Sequence, residues 1–341
     1  MSELKLEGKT DVIKPKVSVL MSCYNGSRWL REAIDSVLIQ TYKNFEFILI
    51  DNGSTDETWN IIQSYRDKDK RIVAISKENM GLAADSLNMG IAQAKGEWIA
   101  RLDADDLCEP TRLEEQVNFV HKHPKVVLLG TGFFEIDEHG KAIKKHLYPS
   151  KHHVLVRHLE HLQRFFPHSS AFYRVDVVRQ VGGYNLRFPL ADDWRLWLEL
   201  SLRGKIAALP KFLVRVRKHS SQVSCENNGR PQLCEATAGT ICHLLQKAGC
   251  KDPSVDMSAD EWIVFRNWVE KRMEELGIFE RRKAWTDARA KYFATGNRLN
   301  GVIHFSTHLL QSGYASVLIW EKFFGSSLPQ RLVREWIVAT K

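Results

Sequence analysis

The chain has 341 residues, of which 44% are hydrophobic and 26% charged, and its formal net charge is +8. This balance is typical of a globular protein and excludes extensive disorder. The positive charge favours an anionic partner, which leaves nucleic acid, a phosphorylated substrate and an anionic membrane surface open.

Residues 1–14 lack the apolar core of a signal peptide, and no apolar run of about 18 residues predicts a spanning helix. We expect a cytoplasmic protein, either soluble or lying on the inner face of the cell membrane.

The first hundred residues alternate short apolar runs with longer stretches of helical periodicity. The predicted strands are residues 17–21, 45–50, 72–75 and 98–102, and the predicted helices are residues 29–39, 57–65 and 83–94. This alternation predicts an α/β fold in which helices cover both faces of a mostly parallel sheet. Ligands of such sheets bind beyond the carboxyl ends of the strands. We therefore expect a binding site in the loops that follow these strands.

Three of these loops are polar, and they cover residues 22–26, 51–56 and 103–106. Turn chemistry explains their glycines, and Ser54 or Thr55 can cap the next helix. It does not explain Tyr24 in the first loop or the Asp51-Asn52 pair in the second. A flat aromatic ring beside an acid and an amide suits the base of a nucleotide.

The third loop contains three carboxylates in four residues, Asp103, Asp105 and Asp106. Such a cluster repels itself unless a positive charge lies in it, and carboxylate oxygens are ligands that Mg²⁺ and Mn²⁺ prefer. The alternative is a solvated loop in which Asp106 or Glu109 starts the next helix. The six cysteines lack zinc spacing, so we expect free, buried thiols.

A helix at residues 110–121 and a strand at residues 126–132 are predicted next, followed by a hairpin or mobile loop at residues 135–151. Six histidines lie in or near this loop: His139, His146, His152, His153, His158 and His161. Their spacing matches no metal-ligand pattern, so we expect a solvated basic face.

A second group of polar residues precedes a helix with a buried apolar face that includes Trp197 and Leu200. Asp192 and Asp193 can cap this helix, where its dipole favours a negative charge. A rigidly held carboxylate is also what a general base requires. Farther on, residues 215–224 form either a basic surface strand or a segment that brings cations and His219 toward a phosphate.

In their order and spacing, these motifs resemble family 2 glycosyltransferases of the GT-A fold over residues 15–224. The motifs are residues 17–19, 24–25, 36–42, 50–56, 81–82, 94–97, 103–106, 110–113, 168–170, 182–184, 192–198, 219 and 222–224. The resemblance implies a GT-A domain (15–225). It leaves an N-terminal extension (1–14) and residues 226–341 outside, and we predict that 226–341 form a helical C-terminal domain that contacts the acceptor, a membrane or another subunit.

The resemblance also implies inverting transfer of a sugar from a nucleotide diphosphate donor to a hydroxyl of a saccharide or lipid-linked saccharide. Asp193 occupies the position of the catalytic base, and Asp192, His168 and Trp194 are expected to support it. Asp105 and Asp103, with His219, are expected to hold Mn²⁺ or Mg²⁺. The expected nucleotide-binding residues are Tyr24, Asn25, Asp51, Asn52 and Asp103.

Two departures from the family pattern bear on the donor. Asn52 stands where an aspartate is frequent; asparagine offers both a hydrogen-bond donor and an acceptor. A UDP-sugar is the first choice, and thymidine and guanosine donors stay open. Residues 81–88 form a segment one residue longer than in many relatives.

The C-terminal third is predicted to be helical at residues 233–248, 259–276, 281–294, 299–312, 314–324 and 328–338. Its aromatic residues form either the core of a helical domain or, with its basic residues, a surface that rests on an anionic bilayer. Two other functions are open at this stage: a catalytically silent relative that binds a nucleotide or glycan, and a nucleic-acid-binding protein. We do not expect nucleic acid, because no interleaved aromatic and basic motif is visible.

Overall fold

The computed structural model describes residues 16–78, 83–220, 222, 229–280 and 328–340. In these ranges the strands are β1 (Val17–Cys23), β2 (Phe45–Asp51), β3 (Ile72–Ser76), β4 (Trp98–Arg101), β5 (Leu107–Cys108), β6 (Val126–Ile136), β7 (Ala142–His146), β8 (Phe172–Arg174) and β9 (Lys205–Arg217). The helices are α1 (Ser27–Leu38), α2 (Thr58–Arg66), α3 (Ala83–Gln93), α4 (Arg112–Lys122), α5 (His152–Glu160), α6 (Val175–Gln180), α7 (Asp192–Arg203), α8 (Arg230–Lys247), α9 (Pro253–Asp256), α10 (Ala259–Glu275) and α11 (Leu328–Ala339).

The nine strands of the described residues form one sheet in the order β3-β2-β1-β4-β8-β6-β9-β5, and β7 pairs with β6 as a hairpin. Strands β3, β2, β1 and β4 are parallel. Strand β8 is antiparallel to both β4 and β6, and β6 is parallel to β9. The predicted α/β fold with a mostly parallel sheet is confirmed.

Helices cover both faces of the sheet, and β1 shows how the faces divide. Val17, Val19 and Met21 lie in one apolar cluster with residues of α1, α2 and α4. Leu20 lies in a second cluster with residues of α3, α5, α6 and α7. This division follows from the alternation of side chains along a strand. Ligands of such sheets bind at the carboxyl ends of the parallel strands, and these ends carry the loops of the predicted site.

The described C-terminal helices pack around a third apolar cluster. It joins α8, α10 and α11 and includes Ile241, Phe265 and Leu332. The Trp268 and Trp336 ring centroids lie 4.8 Å apart in the same region. These aromatic residues therefore belong to a helical core. The predicted helices at 281–294, 299–312 and 314–324, and the predicted N-terminal extension, lie outside the described residues.

Within the described ranges, no helix combines the length and the apolar character needed to cross a membrane. Four cysteines are free and buried, as expected: Cys23, Cys108, Cys234 and Cys242. The expectation of burial is wrong for Cys250, which is free but exposed. Cys225 lies outside the described residues.

Two predicted helix caps are also wrong. Helix α2 begins at Thr58, and Asp56, rather than Ser54 or Thr55, accepts the Thr58 N–H at 2.9 Å. At α7 the N-cap residue is Ala191, so that Asp192 and Asp193 lie in the first turn instead of before it. A carboxylate in the first turn is still favoured by the helix dipole.

Candidate functional site

The loops after β1 and β2 are joined by hydrogen bonds. The Asn25 backbone adopts a φ of 47°, and its side-chain oxygen accepts the Thr55 N–H at 2.8 Å. The Asn25 N–H in turn donates to Ser54 Oγ at 2.9 Å. Asn25 therefore holds the two loops together, while the neighbouring Tyr24 is 53% exposed at the same edge.

Asp51 is the last residue of β2 and Asn52 follows it, and both are buried. The Asp51 carboxylate accepts the Ser54 N–H at 3.3 Å, and the Asn52 N–H donates to the Cys23 carbonyl at 2.8 Å. The Asn52 Oδ1 atom is buried and has no hydrogen-bond partner among the described residues. Leaving a buried acceptor unpaired costs about 1–3 kcal/mol, so this atom suits a ligand that supplies an N–H.

Asp103 is held by an arginine to which the sequence analysis assigned no role. Arg101 is buried at the end of β4, and its Nη2 lies 2.5 Å from Asp103 Oδ1. Ser169 Oγ donates to the other carboxylate oxygen at 2.8 Å. Burial is the largest effect and opposes ionisation of Asp103, but the Arg101 charge together with smaller effects that include the Ser169 hydrogen bond keeps the pKa of Asp103 below its ordinary value. The feature of the sequence that could have indicated this ion pair is a charged arginine at the end of an otherwise apolar strand.

Asp106 is a structural residue. It is 3% exposed, it accepts the Arg217 N–H at 2.8 Å, and its other carboxyl oxygen lies within hydrogen-bonding distance of Ser169 Oγ. Burial, followed by repulsion from Asp105 and Asp103, raises the pKa of Asp106 well above its ordinary value. The alternative of a solvated loop is therefore wrong for this residue, and α4 begins only at Arg112.

Asp105 faces His219, which lies beyond the end of β9. His219 Nε2 and Asp105 Oδ2 are 2.8 Å apart, and the His219 ring centroid lies 4.3 Å from that of Trp29. Arg217 Nε donates to the Asp105 carbonyl at 2.9 Å. Because Arg217 is fully buried, the alternative of a surface strand is wrong at this end of β9.

The donor atoms at this edge fit a divalent ion that shares its coordination with a ligand. Within the described ranges, no three or more His, Cys, Asp or Glu side chains are grouped to hold a metal by themselves. Asp103 is already engaged by Arg101 and Ser169, which leaves Asp105 and His219 as the donor pair. One carboxylate and one imidazole suit Mn²⁺ or Mg²⁺ when phosphate oxygens and water complete the shell.

The carboxylates of Asp192 and Asp193 lie half-buried in the first turn of α7. Asp193 Oδ1 accepts the Trp194 N–H at 2.6 Å, and Asp192 Oδ1 accepts the Asp193 N–H at 2.7 Å. Burial raises the pKa of Asp193 to about 6, and the Asp103 charge also raises it. Burial and the Asp193 charge raise the pKa of Asp192 further.

His168 is a neutral side chain whose ring centroid lies 5.8 Å from that of Trp197 in α7. Burial, together with the Arg101 charge, lowers the pKa of His168 to about 3. Its Nε2 lies 2.7 Å from the Tyr184 hydroxyl, which is 3.0 Å from the Tyr173 hydroxyl. His168 is therefore part of an uncharged hydrogen-bond network and does not supply a cation.

A cleft of about 270 Å³ opens beside Asp193. Its walls come from the 162–167 segment, α7 and α8, and its aromatic lining consists of Phe165, Phe166, Trp194 and Trp197. Asp193 and Gln232 are the polar side chains among its lining residues. A carboxylate at the edge of an aromatic cleft can accept a proton from a hydroxyl bound there.

A mostly parallel α/β sheet whose strand-end loops gather carboxylates, a histidine and a buried amide is typical of proteins that bind a ligand at the carboxyl ends of the strands. Residues 18–182 match the family model described as Glycosyl transferase family 2. The chain belongs to this family and is a glycosyltransferase. The matched region ends before Asp193.

Several curated relatives carry the same designation. The putative glycosyltransferase EpsE of Bacillus subtilis is 38% identical over 213 residues, which are 60% of this chain and 74% of EpsE. An uncharacterized glycosyltransferase of Haemophilus influenzae is 33% identical over 223 residues (63% of this chain, 69% of the relative). The amylovoran biosynthesis glycosyltransferase AmsE of Erwinia amylovora is 31% identical over 211 residues (61% and 78%).

Solved structures share the fold at low sequence identity. S. aureus TarS 1-349, in complex with UDP, aligns over 76% of this chain and 71% of its own, with a TM-score of 0.54 and 18% identity. The mannosyltransferase PcManGT from Pyrobaculum calidifontis, in complex with GDP-Man and Mn²⁺, aligns over 96% and 86%, with a TM-score of 0.51 and 14% identity. The predicted GT-A fold is confirmed.

Proposed function

We propose that this glycosyltransferase moves a sugar from a nucleotide diphosphate donor to a hydroxyl of a saccharide or lipid-linked saccharide, with inversion at the anomeric carbon. The observation that carries the proposal is a pair of groups at the strand-end loops. Asp105 and His219 form the first, 2.8 Å apart. Asp193 at the edge of the aromatic cleft forms the second, and Pro167 of that cleft is two residues from Ser169, which bonds Asp103. The first group suits the leaving diphosphate and the second suits the attacking hydroxyl.

The proposed nucleotide site is the edge formed by the loops after β1 and β2. The exposed ring of Tyr24 can stack on a base, and Asn52 Oδ1 can accept a ring N–H. Uracil and guanine both carry such an N–H. TarS is known with UDP and PcManGT with GDP-Man. We retain a UDP-sugar as the first choice and expect Asp51 and Asn25 to shape this site.

The diphosphate is proposed to lie beside Asp105 and His219, which would hold Mn²⁺ or Mg²⁺. When bound, such an ion offsets the negative charge that develops on the leaving diphosphate. Arg101 pairs with Asp103 and offsets part of the carboxylate repulsion in this part of the site. Asp103 is thus proposed to orient the loop through Ser169 and to contact the donor, rather than to supply the principal metal ligand.

Asp193 is proposed as the general base. It takes the proton of the acceptor hydroxyl while that oxygen bonds to the anomeric carbon and the bond from this carbon to the diphosphate oxygen breaks. A base with a pKa of about 6 is ionised at neutral pH and remains a stronger base than an ordinary aspartate. Asp192, His168 and Trp194 are proposed to support it. No covalent intermediate is needed, so one displacement inverts the anomeric configuration.

The aromatic cleft beside Asp193 is where the acceptor would enter, because the C–H face of a sugar ring packs well on aromatic side chains. We propose a role in polysaccharide or glycolipid synthesis, which AmsE supports by its designation in amylovoran biosynthesis. The 226–341 region is proposed as a helical domain for acceptor, membrane or subunit contacts. Peripheral attachment to the inner face of the cell membrane belongs to the same proposal.

The proposal is tested by measuring nucleoside diphosphate release from UDP-, GDP- and dTDP-sugars with Mn²⁺ present. We expect release with at least one donor, and we expect Asp105→Asn and Asp193→Asn each to lose it. Asp67→Asn, an exposed aspartate paired with Arg66, serves as the control. Nucleotide binding without sugar release from any donor would instead support a catalytically silent relative.

A further inference from the structure

The segment at residues 185–195, which leads into α7 and carries Asp193, is bonded to the C-terminal helices. On the N-terminal side of Asp193, the Leu190 N–H donates to Glu235 Oε2 of α8 at 2.7 Å. Arg187 Nη2 donates to the Met257 carbonyl at the end of α9, also at 2.7 Å. The approach to α7 is therefore held from outside the sheet.

The C-terminal side of Asp193 is held in the same way. Trp194 Nε1 donates to Thr240 Oγ1 of α8 at 3.2 Å. Arg195 Nη2 donates to Asp252, and the two side chains are only 3% and 8% exposed. Asp193 thus lies between two sets of hydrogen bonds that end on α8 and on the two ends of α9.

Glu235 is a costly residue to place in this core. It is 2% exposed, and its ion-pair partner Arg266 lies 3.3 Å away with a side chain that is 43% exposed. Burial raises the pKa of Glu235, although the Leu190 N–H and Arg266 oppose this effect. An apolar residue would fill the same volume without desolvating a carboxylate, but it could not accept the Leu190 N–H.

We propose that Glu235 and Asp252 are positioning residues that hold the first turn of α7, and with it Asp193, in the orientation needed to receive the acceptor proton. The inference rests on the proposed function, because it takes Asp193 as the base. It makes α8 and α9 part of the transfer machinery in addition to any contact with acceptor or membrane. A base displaced by about 1 Å can lose a factor of about 10² in rate.

The test compares Glu235→Ala with Glu235→Gln, since glutamine keeps an oxygen that can accept the Leu190 N–H. Donor hydrolysis is followed as nucleoside diphosphate release from UDP-GlcNAc or GDP-mannose, whichever the wild-type protein turns over. We expect Glu235→Ala to lower kcat by about 10- to 100-fold, with the donor KM within about twofold of wild type. Glu235→Gln should recover most of the lost kcat. Glu270→Ala, which removes a surface pair with Arg230, is the matched control.

Thermal unfolding identifies variants that do not fold. If Glu235→Ala is one of them, Thr240→Val removes the acceptor of Trp194 Nε1 with little change in volume, and kcat should fall at least about fivefold at constant donor KM. A folded Glu235→Ala or Thr240→Val with wild-type kcat would overturn the inference, and so would a fall in kcat in Glu235→Gln as large as that in Glu235→Ala. Absence of turnover in the wild type with every donor would instead overturn the proposed function.

Discussion

His219 Nε2 lies 2.8 Å from Asp105 Oδ2, although 114 positions separate the two residues in the chain. Strand β9 makes this contact possible, because it runs beside β6 and ends next to the loop that follows β4. The backbone and side chain of Arg217 fix the junction through Asp106 and the Asp105 carbonyl. The proposed metal site therefore depends on two segments that are far apart in the chain, the loop after β4 and the segment after β9.

His219→Gln should weaken the response of the enzyme to Mn²⁺. The imidazole is one of two protein donors proposed for the ion, and its loss should raise the Mn²⁺ concentration for half-maximal donor turnover by about 10-fold or more. Titrating Mn²⁺ against nucleoside diphosphate release measures this. His146→Gln breaks another His–carboxylate contact, 3.0 Å from Glu135 in the hairpin, and should leave the Mn²⁺ response unchanged. Equal responses in the two variants would remove His219 from the metal site.

The pH dependence of turnover should report the Asp193 carboxylate. Burial raises the pKa of Asp193 to about 6, and a base acts only when it is ionised. Turnover should therefore be near its plateau at pH 7 and should fall about tenfold for each pH unit below about 6. The measurement is kcat from pH 5 to 8, with nucleotide affinity determined at both ends as a control. A flat profile between pH 5 and 7 would argue against Asp193 as the base.

Asn52→Ala should weaken nucleotide binding. The buried Asn52 Oδ1 lacks a partner in the described structure, so a donor from the base would gain about 1–1.5 kcal/mol, or about tenfold in affinity. Calorimetric titration with UDP and with GDP measures the loss and shows which base the side chain favours. Asn60→Ala on α2, whose amide donates to Glu57, is the control. Unchanged affinity for both nucleotides would place the base elsewhere.

Alanine substitutions at two adjacent glycines, Gly182 and Gly183, form a matched test of how much the contact between Asn88 and Tyr184 contributes to stability. Gly182 and Gly183 have φ values of +85° and +76°, so alanine at either position should cost about 1–2 kcal/mol of folding free energy. A Cβ on Gly182 would meet nothing within 4 Å, whereas a Cβ on Gly183 would overlap Asn88 Oδ1.

That Asn88 oxygen accepts the Tyr184 N–H at 2.7 Å, and Tyr184 contacts His168. Gly183→Ala should therefore cost about 1–3 kcal/mol more than Gly182→Ala. Urea denaturation of the two variants provides the comparison. Equal losses of unfolding free energy in the two variants would show that the Asn88 side chain can move away from the new Cβ without a loss of stability.

The strand-end loops could be predicted from sequence because a local pattern of apolar runs and turns determines them. The same pattern could not distinguish Asp105 from Asp106, which are adjacent and chemically identical. Their difference arises from partners on β9 and beyond it, since Arg217 binds Asp106 and His219 contacts Asp105. Such pairings depend on how distant strands align, and sequence periodicity contains no information about that alignment.

Arg101 and Glu235 illustrate the same limit. Each is a charged residue within a run that otherwise predicts a buried element, and each is 2–3% exposed in the structure. A buried charge indicates a partner, but sequence does not identify that partner as Asp103 or as the Leu190 N–H. The role of the C-terminal region in holding α7 follows only from these contacts. The boundary between residues 225 and 226 stays a prediction.

The proposal of inverting transfer with Asp193 as the base is tested most directly by the anomeric configuration of the sugar that the wild-type enzyme releases. A donor with an α-linked sugar, such as UDP-GlcNAc or GDP-mannose, is incubated with enzyme and Mn²⁺, and proton NMR is recorded before mutarotation equilibrates the product. A single displacement assisted by Asp193 predicts that the β anomer appears first and that Asp193→Asn abolishes its formation. Initial release of the α anomer by the wild type would contradict the account.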